Sequence, residues 1–224
     1  MSVTFRPTDI SKLSGKLVSL KVALISLLVV HFFGALGLAY EPLRDYFQMA
    51  TPLNLLITSL LLFSFHQAWN ISFYIFATVC FAIGYFVEVA GIHTGEIFGE
   101  YHYGPTLGLK IWDVPLIIGL NWLILVYCTG IIAHQFFQNI FLKSLAGSML
   151  MVILDFVIEP VAVSLDFWVW EGGEIPLQNF IGWFITSYIL QIFFHLSKFE
   201  KHNYLARYVI YVQLGFFIFI QSLI

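Results

Sequence analysis

Seven apolar segments separated by short polar connections dominate this sequence and restrict what it can fold into. Most of them are close to the roughly 20 residues that an α-helix needs to cross the hydrocarbon core of a bilayer. With 60% hydrophobic and only 10% charged residues among 224, a water-soluble domain could not bury so much apolar surface. The sequence therefore predicts an all-α fold, a polytopic integral membrane helix bundle with about seven transmembrane helices. The apolar segments span residues 22–39, 53–65, 71–90, 114–136, 145–165, 177–196 and 204–224.

No soluble region or long linker interrupts this pattern, so we expect residues 1–224 to form a single integral membrane domain. Residues 1–21 form a basic lead that we expect to be amphipathic and cytoplasmic. A cleaved signal peptide is the alternative interpretation, but the charged lead and the apolar segment after it are both longer than is usual for one. The shortest apolar segment, 53–65, decides the topology, because without it every later connection would change sides.

The distribution of lysine and arginine sets the predicted orientation, since these residues are retained on the cytoplasmic side of a membrane. With seven spans, most of them share the side of the N-terminus, which we therefore expect to be cytoplasmic in a bacterial or archaeal cell membrane. The polar loops 91–113 and 166–176 then lie together on the opposite side, where we expect them to form the mouth of a site. The residues on the cytoplasmic side are Arg6, Lys12, Lys16, Lys21, Lys143, Lys198, Lys201 and Arg207, against Arg44 and Lys110 outside.

The end of the third apolar segment carries Glu88, an ionisable group that is costly inside a membrane and is usually functional there. Small residues recur around it at helical spacing, which allows the close approach of a neighbouring helix or a ligand. The structural alternative is a tight helix contact in which Glu88 is hydrogen-bonded to a partner. Glu96 and Asp113 in the following loop are further candidate carboxylates. The small residues are Gly84, Gly91 and Gly95.

The fifth apolar segment contains Asp155 and Glu159, which are four residues apart and therefore lie on one face of a helix. Two carboxylates this close would repel each other, so we expect at least one to be protonated and able to donate a proton. Pro160 removes a helix hydrogen bond beside them and predicts a kink. The structural alternative is that the two acids pair with Asn121, His31 or another helix as polar contacts within the bundle.

Aromatic side chains accompany these acids in both polar loops. Tryptophan and tyrosine collect at membrane interfaces whatever the function of a protein, so each one alone has a structural explanation. Aromatic faces also stabilise cations, and together with carboxylic acids they would suit protonation of an apolar alkene. The candidate substrate-binding residues are Tyr101, Tyr103, Trp112, Asn121, Trp168, Trp170, Asn179 and Trp183.

Several function classes lack their usual motifs. His93 and His102 lie near acidic residues but without an HxxxH or HExxH spacing, so we expect no metal site. The absence of GxSxG, DDxxD and glycine-rich phosphate-binding patterns disfavours hydrolases, prenyltransferases and nucleotide-driven proteins. The net charge of -3 gives no indication of a nucleic-acid partner.

Two stretches of the sequence resemble the hallmark blocks of a known family. They read EVAGIHTGEIFGEYHYGPTLGLKIWDVPLIIGLNW and LDFVIEPVAVSLDFWVWEGGEIPLQNFIGW, and they are similar to the carotenoid biosynthesis protein family, which includes the CruF-type carotenoid 1,2-hydratases. The resemblance implies a small multi-pass membrane enzyme that adds water to the terminal double bond of an acyclic carotenoid end without a cofactor. It also implies an apolar substrate from the bilayer, lycopene-like or monocyclic, with water, membrane lipid and other carotenoid-pathway enzymes as partners.

The chemistry implied by this resemblance agrees with the acids in the sequence. One acid would protonate the alkene at C2 to give a tertiary cation at C1, and a second carboxylate would orient or deprotonate the attacking water. From their positions alone, Asp155 and Glu159 are our candidates for the acid, and Glu88, Glu96 and Asp113 for water activation.

Two other functions stay open on the sequence. A proton-coupled transporter would use the same intramembrane carboxyl groups as a relay, although the sequence has no convincing internal repeat. A cofactor-free carotenoid cyclase would form the same cation but lose a proton, leaving the mass of its substrate unchanged.

Overall fold

Eight α-helices make up most of the part of the chain that the computed structural model describes, residues 18–224. This confirms the predicted all-α membrane bundle, while residues 1–17 of the predicted lead lie outside the described part. Leu20 and Lys21, assigned to that lead from the sequence, already belong to the first helix. The helices are α1 (Leu20–Ala39), α2 (Arg44–Met49), α3 (Thr51–Ser64), α4 (Ile71–Thr94), α5 (Ile117–Phe136), α6 (Ile140–Ser164), α7 (Leu177–Leu196) and α8 (Ala206–Gln221), with a 3₁₀ turn at Glu41–Leu43.

The predicted count of seven spans is not confirmed, although a helix occupies each predicted segment. Five of the described helices, α1 and α4 to α7, are long and apolar enough to cross a membrane. The helical stretch Glu41–Met49 and α3 meet at a bend of 54° and count as a sixth span only if taken together. The 14 residues of α3 and the 16 of α8 fall short because, at 1.5 Å per residue, they extend only about 21 and 24 Å.

Side-chain caps explain where two of the long helices begin. The Asn70 side chain accepts a hydrogen bond from the Phe73 N–H at the start of α4, and the Asn139 side chain does the same for Phe141 and Leu142 at the start of α6. Gly95 ends α4 in a left-handed conformation with φ of 67°. Helix α6 continues past Pro160 to Ser164.

Helix α5 is the centre of the bundle. Its apolar window is 72% buried, whereas those of α1, α4 and α6 are each 33% buried, because α5 packs against α3, α4, α6, α7 and α8. Close approach of α4 depends on Gly84, where an added Cβ would lie 2.4 Å from the Cβ of Trp122. Of the predicted small-residue stripe, Gly84 therefore meets the central helix, whereas Gly91 faces Phe98 in the loop that follows α4.

Four short strands lie at one end of the bundle, in the connections that follow α4 and α6. Strands β1 (Tyr101–Tyr103) and β4 (Trp168–Trp170) pair antiparallel, so the two polar loops meet on one face of the protein. Strands β2 (Lys110–Ile111) and β3 (Val114–Pro115) form a separate tight hairpin.

Candidate active site

The pairing of β1 with β4 builds a small two-stranded ribbon that covers the bundle. Tyr101 lies opposite Trp170, and Tyr103 lies opposite Trp168. Because side chains alternate between the two faces of a strand, these four aromatic residues share the face toward the helices. We call the four residues the aromatic lid.

Gly104 is required where the two strands of the lid meet the helices. An added Cβ would lie 1.7 Å from the carbonyl oxygen of Asp166, so any side chain at this position would clash with the backbone of the second loop. The Gly104 N–H also donates to the carbonyl of Phe167 at 2.9 Å. The missing side chain thus allows the two loops to come within hydrogen-bonding distance.

The lid tyrosines hold the carboxyl group of Glu88, which is 3% exposed near the end of α4. The Tyr103 hydroxyl donates to Oε2 at 2.9 Å, and the Tyr101 hydroxyl donates to the same oxygen. The Trp122 indole N–H, from α5, donates to Oε1 at 2.9 Å. Three donors from two elements therefore fix the orientation of one buried carboxyl group.

The lid tryptophans hold Glu159 in the same way. The indole N–H groups of Trp168 and Trp170 donate to Oε2 at 3.0 and 2.9 Å. The Asn179 amide, from α7, donates to Oε1 of Glu159 at 3.0 Å and to Oδ2 of Asp155 at 2.9 Å. Asn179 thus joins the two acids of α6, and Oδ1 of Asp155 is buried without a hydrogen-bond partner among residues 18–224.

Burial in this site raises the pKa of Tyr101 and of Tyr103 well above the ordinary tyrosine value, and the neighbouring Glu88 carboxylate raises both further. A phenol must be protonated to donate a hydrogen bond. Both hydroxyls therefore stay donors to Glu88 across the neutral and mildly alkaline range.

A cavity of about 30 Å³ lies between the two held carboxyl groups. A water molecule needs roughly 10–15 Å³ of such space, so the cavity can take about two waters in contact with several polar groups. Its lining residues are Glu88, Tyr101, Tyr103, Ile118, Asn121, Glu159, Trp168, Trp170, Asn179 and Trp183.

A second, mostly apolar cavity of about 200 Å³ adjoins the first. Ile118, Asn121 and Trp168 line both spaces, so they mark the junction between them. The Asn121 side chain makes no hydrogen bond to any described residue and is free to contact a ligand there. Leu53 also lines the larger cavity and is 57% exposed, which places the opening at the exposed surface of α3.

Stacked indoles form one wall of the smaller cavity. The ring of Trp183 lies 4.3 Å from that of Trp122, with an angle of 21° between their planes. Trp183 faces the cavity, while Trp122 is fully buried behind it and donates to Glu88. Sequence reasoning did not select Trp122, although it closes the first quoted block directly after Asn121.

Three candidates from the sequence lie outside this cluster. Glu96 is exposed, and its backbone carbonyl accepts a hydrogen bond from Gln178 at 2.6 Å. Trp112 and Asp113 form the two-residue turn between β2 and β3, both with positive φ, and both are exposed. Asp113 lies 3.7 Å from His93 at the surface. The structure therefore brings together Glu88, Asp155 and Glu159, but not Glu96 or Asp113.

The contacts of the two acids of α6 match one part of the structural alternative, a polar contact with another helix. Asp155 and Glu159 do contact another helix, but through Asn179 rather than through Asn121 or His31. In residues 18–224, no three histidine, cysteine, aspartate or glutamate side chains are arranged to hold a metal ion.

Comparison with known proteins assigns the family. The family model described as carotenoid biosynthesis protein matches residues 49–224, which include Asp155 and every residue that lines the smaller cavity. The chain belongs to the carotenoid biosynthesis protein family. This confirms the resemblance of the two sequence blocks.

A curated relative narrows the comparison. The chain is 29% identical over 123 residues to the bisanhydrobacterioruberin hydratase of Haloarcula japonica. That alignment covers 49% of this chain and 40% of the relative, so less than half of the relative is represented. No solved structure gives a significant match to the chain.

Proposed function

We propose that this protein is a carotenoid 1,2-hydratase that adds water to the terminal double bond of an acyclic carotenoid end. Membership of the carotenoid biosynthesis family and similarity to a protein named as a hydratase support the class of reaction. The observation that carries the proposal is the pair of cavities, one apolar and one able to hold water between two carboxyl groups.

The sizes of the two cavities decide where each reactant lies. A branched alkene end is too large for about 30 Å³, so it occupies the apolar cavity and reaches the junction at Asn121 and Trp168. The smaller cavity holds the water. The long polyene chain extends through the opening near Leu53 into the bilayer, because about 200 Å³ cannot enclose it.

Glu159 is the proton donor in this scheme, since it lines the cavity while Asp155 lies behind it on the same Asn179 amide. Its proton bonds to C2 with the two electrons of the alkene, which leaves a tertiary cation at C1. The water oxygen then bonds to C1 and its extra proton passes to Glu88. Return of that proton to Glu159 through the water of the shared cavity restores both groups, with no change of oxidation state overall.

The rings around the junction would stabilise the cation. Trp168 lines both cavities, and its indole N–H is already engaged by Glu159, so its π face is the part free to contact the substrate. The surrounding apolar residues limit the water at C1 to the few molecules in the smaller cavity. This restriction favours a single addition at the end of the chain.

The proposed orientation places the lid on the side opposite the cytoplasm. Lys143, Lys198 and Lys201 lie near the other end of the bundle, where Lys198 contacts the start of α4 through Asn70 and Ser72. Positive residues at that end are typical of a cytoplasmic face.

Expression in cells that accumulate lycopene or a monocyclic carotene tests the proposal directly. We expect the extracted pigment to gain the mass of one or two waters, and a matched Glu159→Gln variant that is equally abundant in the membrane to leave it unchanged. An unchanged mass with a shifted absorption band would indicate a cyclase. An unchanged pigment with verified membrane insertion would refute the proposal and favour a transport function.

A further inference from the structure

Besides Thr51, whose hydroxyl donates to the Phe47 carbonyl, three polar side chains line the apolar cavity away from the carboxyl groups. His31 comes from α1, Asn54 from α3 and Gln213 from α8. His31 is 6% exposed and Gln213 is 5% exposed, so both are more than nine-tenths buried within the membrane region. Oε1 of Gln213 has no hydrogen-bond partner in the described part of the chain.

The hydrogen bonds that these side chains already make show which of their donor and acceptor atoms can still bind a ligand. Nδ1 of His31 lies 2.9 Å from the carbonyl oxygen of Leu27, which can only accept, so Nδ1 carries the proton and Nε2 of the neutral ring is an acceptor. Oδ1 of Asn54 accepts from the Thr58 hydroxyl at 3.2 Å, which leaves both N–H groups of the amide as donors. At the cavity, the groups left without partners are therefore Nε2 of His31, which accepts, and the amide of Asn54, which donates, while the unpaired Oε1 of the lining residue Gln213 is buried.

The three helices leave room for a ligand atom between these groups. At Gly34, one turn beyond His31, an added Cβ would lie 3.9 Å from Nδ2 of Asn54 and 3.6 Å from the ring of Phe216. Phe216 is one turn beyond Gln213 and lies 5.3 Å from the His31 ring, edge to face. The same face of each helix therefore looks into one space.

An unpaired polar group in a membrane interior costs several kcal/mol, so these groups need a partner. We propose that His31, Asn54 and Gln213 form a second subsite that binds a hydroxyl group carried by the substrate's end group. A hydroxyl donates one hydrogen bond and accepts up to two, so it can donate to one of the two acceptors, Nε2 of His31 or Oε1 of Gln213, and accept from the amide of Asn54. This inference rests on the proposed function, because the same end group must also reach the junction at Asn121.

Paired substrates test this subsite. The purified full-length protein in detergent would be given one acyclic hydrocarbon carotenoid and one whose end group also bears a hydroxyl near the terminal alkene. We expect hydration of the hydroxylated substrate to have a kcat/KM about 10-fold higher, as one well-placed hydrogen bond allows. Gln213→Leu should bring this ratio close to one, whereas Gly215→Ala, on the same helix with no atom within 4 Å of an added Cβ, should preserve it.

The outcomes separate this inference from the proposed function. Equal kcat/KM values for both substrates in the unaltered protein, or a ratio that Gln213→Leu does not change, would show that the polar groups only join helices. If neither substrate gained water, the proposed function would be overturned instead, and binding of the hydroxylated pigment, followed by its visible absorption, would still test the subsite. If Gln213→Leu does not fold, Asn54→Leu, at a less buried position, serves for the same comparison.

Discussion

Replacing Asn179 with leucine tests whether Asp155 and Glu159 act as a pair. Asn179 is 2% exposed, and its amide is shared between Oδ2 of Asp155 at 2.9 Å and Oε1 of Glu159 at 3.0 Å. Leucine has a similar size but no donor. The change therefore removes two hydrogen bonds from buried carboxyl groups without opening a large cavity.

The expected loss can be derived from the number of hydrogen bonds. Side-chain hydrogen bonds between membrane helices contribute about 0.6 kcal/mol on average and up to about 1.7, so two give roughly 1–3.5 kcal/mol of unfolding free energy. A hydrogen bond to a charged group reaches about 3 kcal/mol in water-soluble proteins. A loss above this range would therefore indicate that one of the two carboxyl groups is ionised. The variant should also misplace the proton donor. If this raises the activation free energy of hydration by about 1.4 kcal/mol, the hydration rate falls about tenfold.

Unfolding free energy and initial hydration rate would be measured on the same detergent preparation. The double variant Asp155→Leu, Asn179→Leu also removes one of the orphaned acceptors, so we expect it to recover part of the stability but none of the rate. An unchanged unfolding free energy in Asn179→Leu would show that the two hydrogen bonds of Asn179 do not stabilise the protein. A double variant that hydrates carotenoid as fast as the unaltered protein would show that Asp155 and Glu159 do not act as a pair.

Three further predictions concern the acids and the lid. Glu88→Gln should abolish hydration, because an amide cannot take the proton of the attacking water. Glu96→Gln, at an exposed position, should retain hydration. If both variants lost hydration, Glu96 would have to be counted as part of the site. Gly104→Ala should unfold the β1–β4 pairing and the site with it, since its Cβ would meet the Asp166 carbonyl, while Gly215→Ala should keep both activity and melting temperature. The pKa values of the two lid tyrosines are raised above the ordinary value of about 10, so both hydroxyls stay protonated donors. When the hydration rate is measured between pH 8 and 10.5, we therefore expect no decrease centred near pH 10.

Local patterns predicted the parts of this protein that depend on local forces. Hydropathy located seven of the eight described helices, all except the short α2, because each apolar segment must satisfy its own backbone hydrogen bonds in lipid. Helical spacing placed Asp155 and Glu159 on one face, and the structure joins them through Asn179. The number of spans was less predictable, because apolar character does not tell whether helices as short as α3 and α8 cross the membrane.

The lid could not be predicted, since it depends on contacts between distant parts of the chain. Strands β1 and β4 have three residues each, too few for an alternating pattern, and they lie in separate loops. Their pairing decides that the tyrosines hold Glu88 and the tryptophans hold Glu159. Asp113 follows the lid tyrosines closely in sequence, but the β2–β3 turn directs it to the surface.

The lid also explains why interfacial aromatic residues suit this site. The backbone N–H groups of a membrane helix are used within the helix, so donors to an intramembrane carboxyl group must come from side chains. Tyrosine and tryptophan carry such a donor at the edge of a large apolar ring, which lets it enter the membrane region at low cost.

The contributions of the N–H donor and of the aromatic ring of a lid tryptophan can therefore be measured separately. Trp170→Phe keeps an aromatic ring next to Tyr101 but removes the N–H that donates to Glu159, so we expect hydration to fall about tenfold with membrane insertion unchanged. Trp69→Phe is the matched control, because Trp69 is 52% exposed and does not line either cavity. If both variants hydrated carotenoid at the same rate, the tryptophan would serve only as an interfacial anchor, and the hydrogen bonds of the lid would not contribute to the reaction.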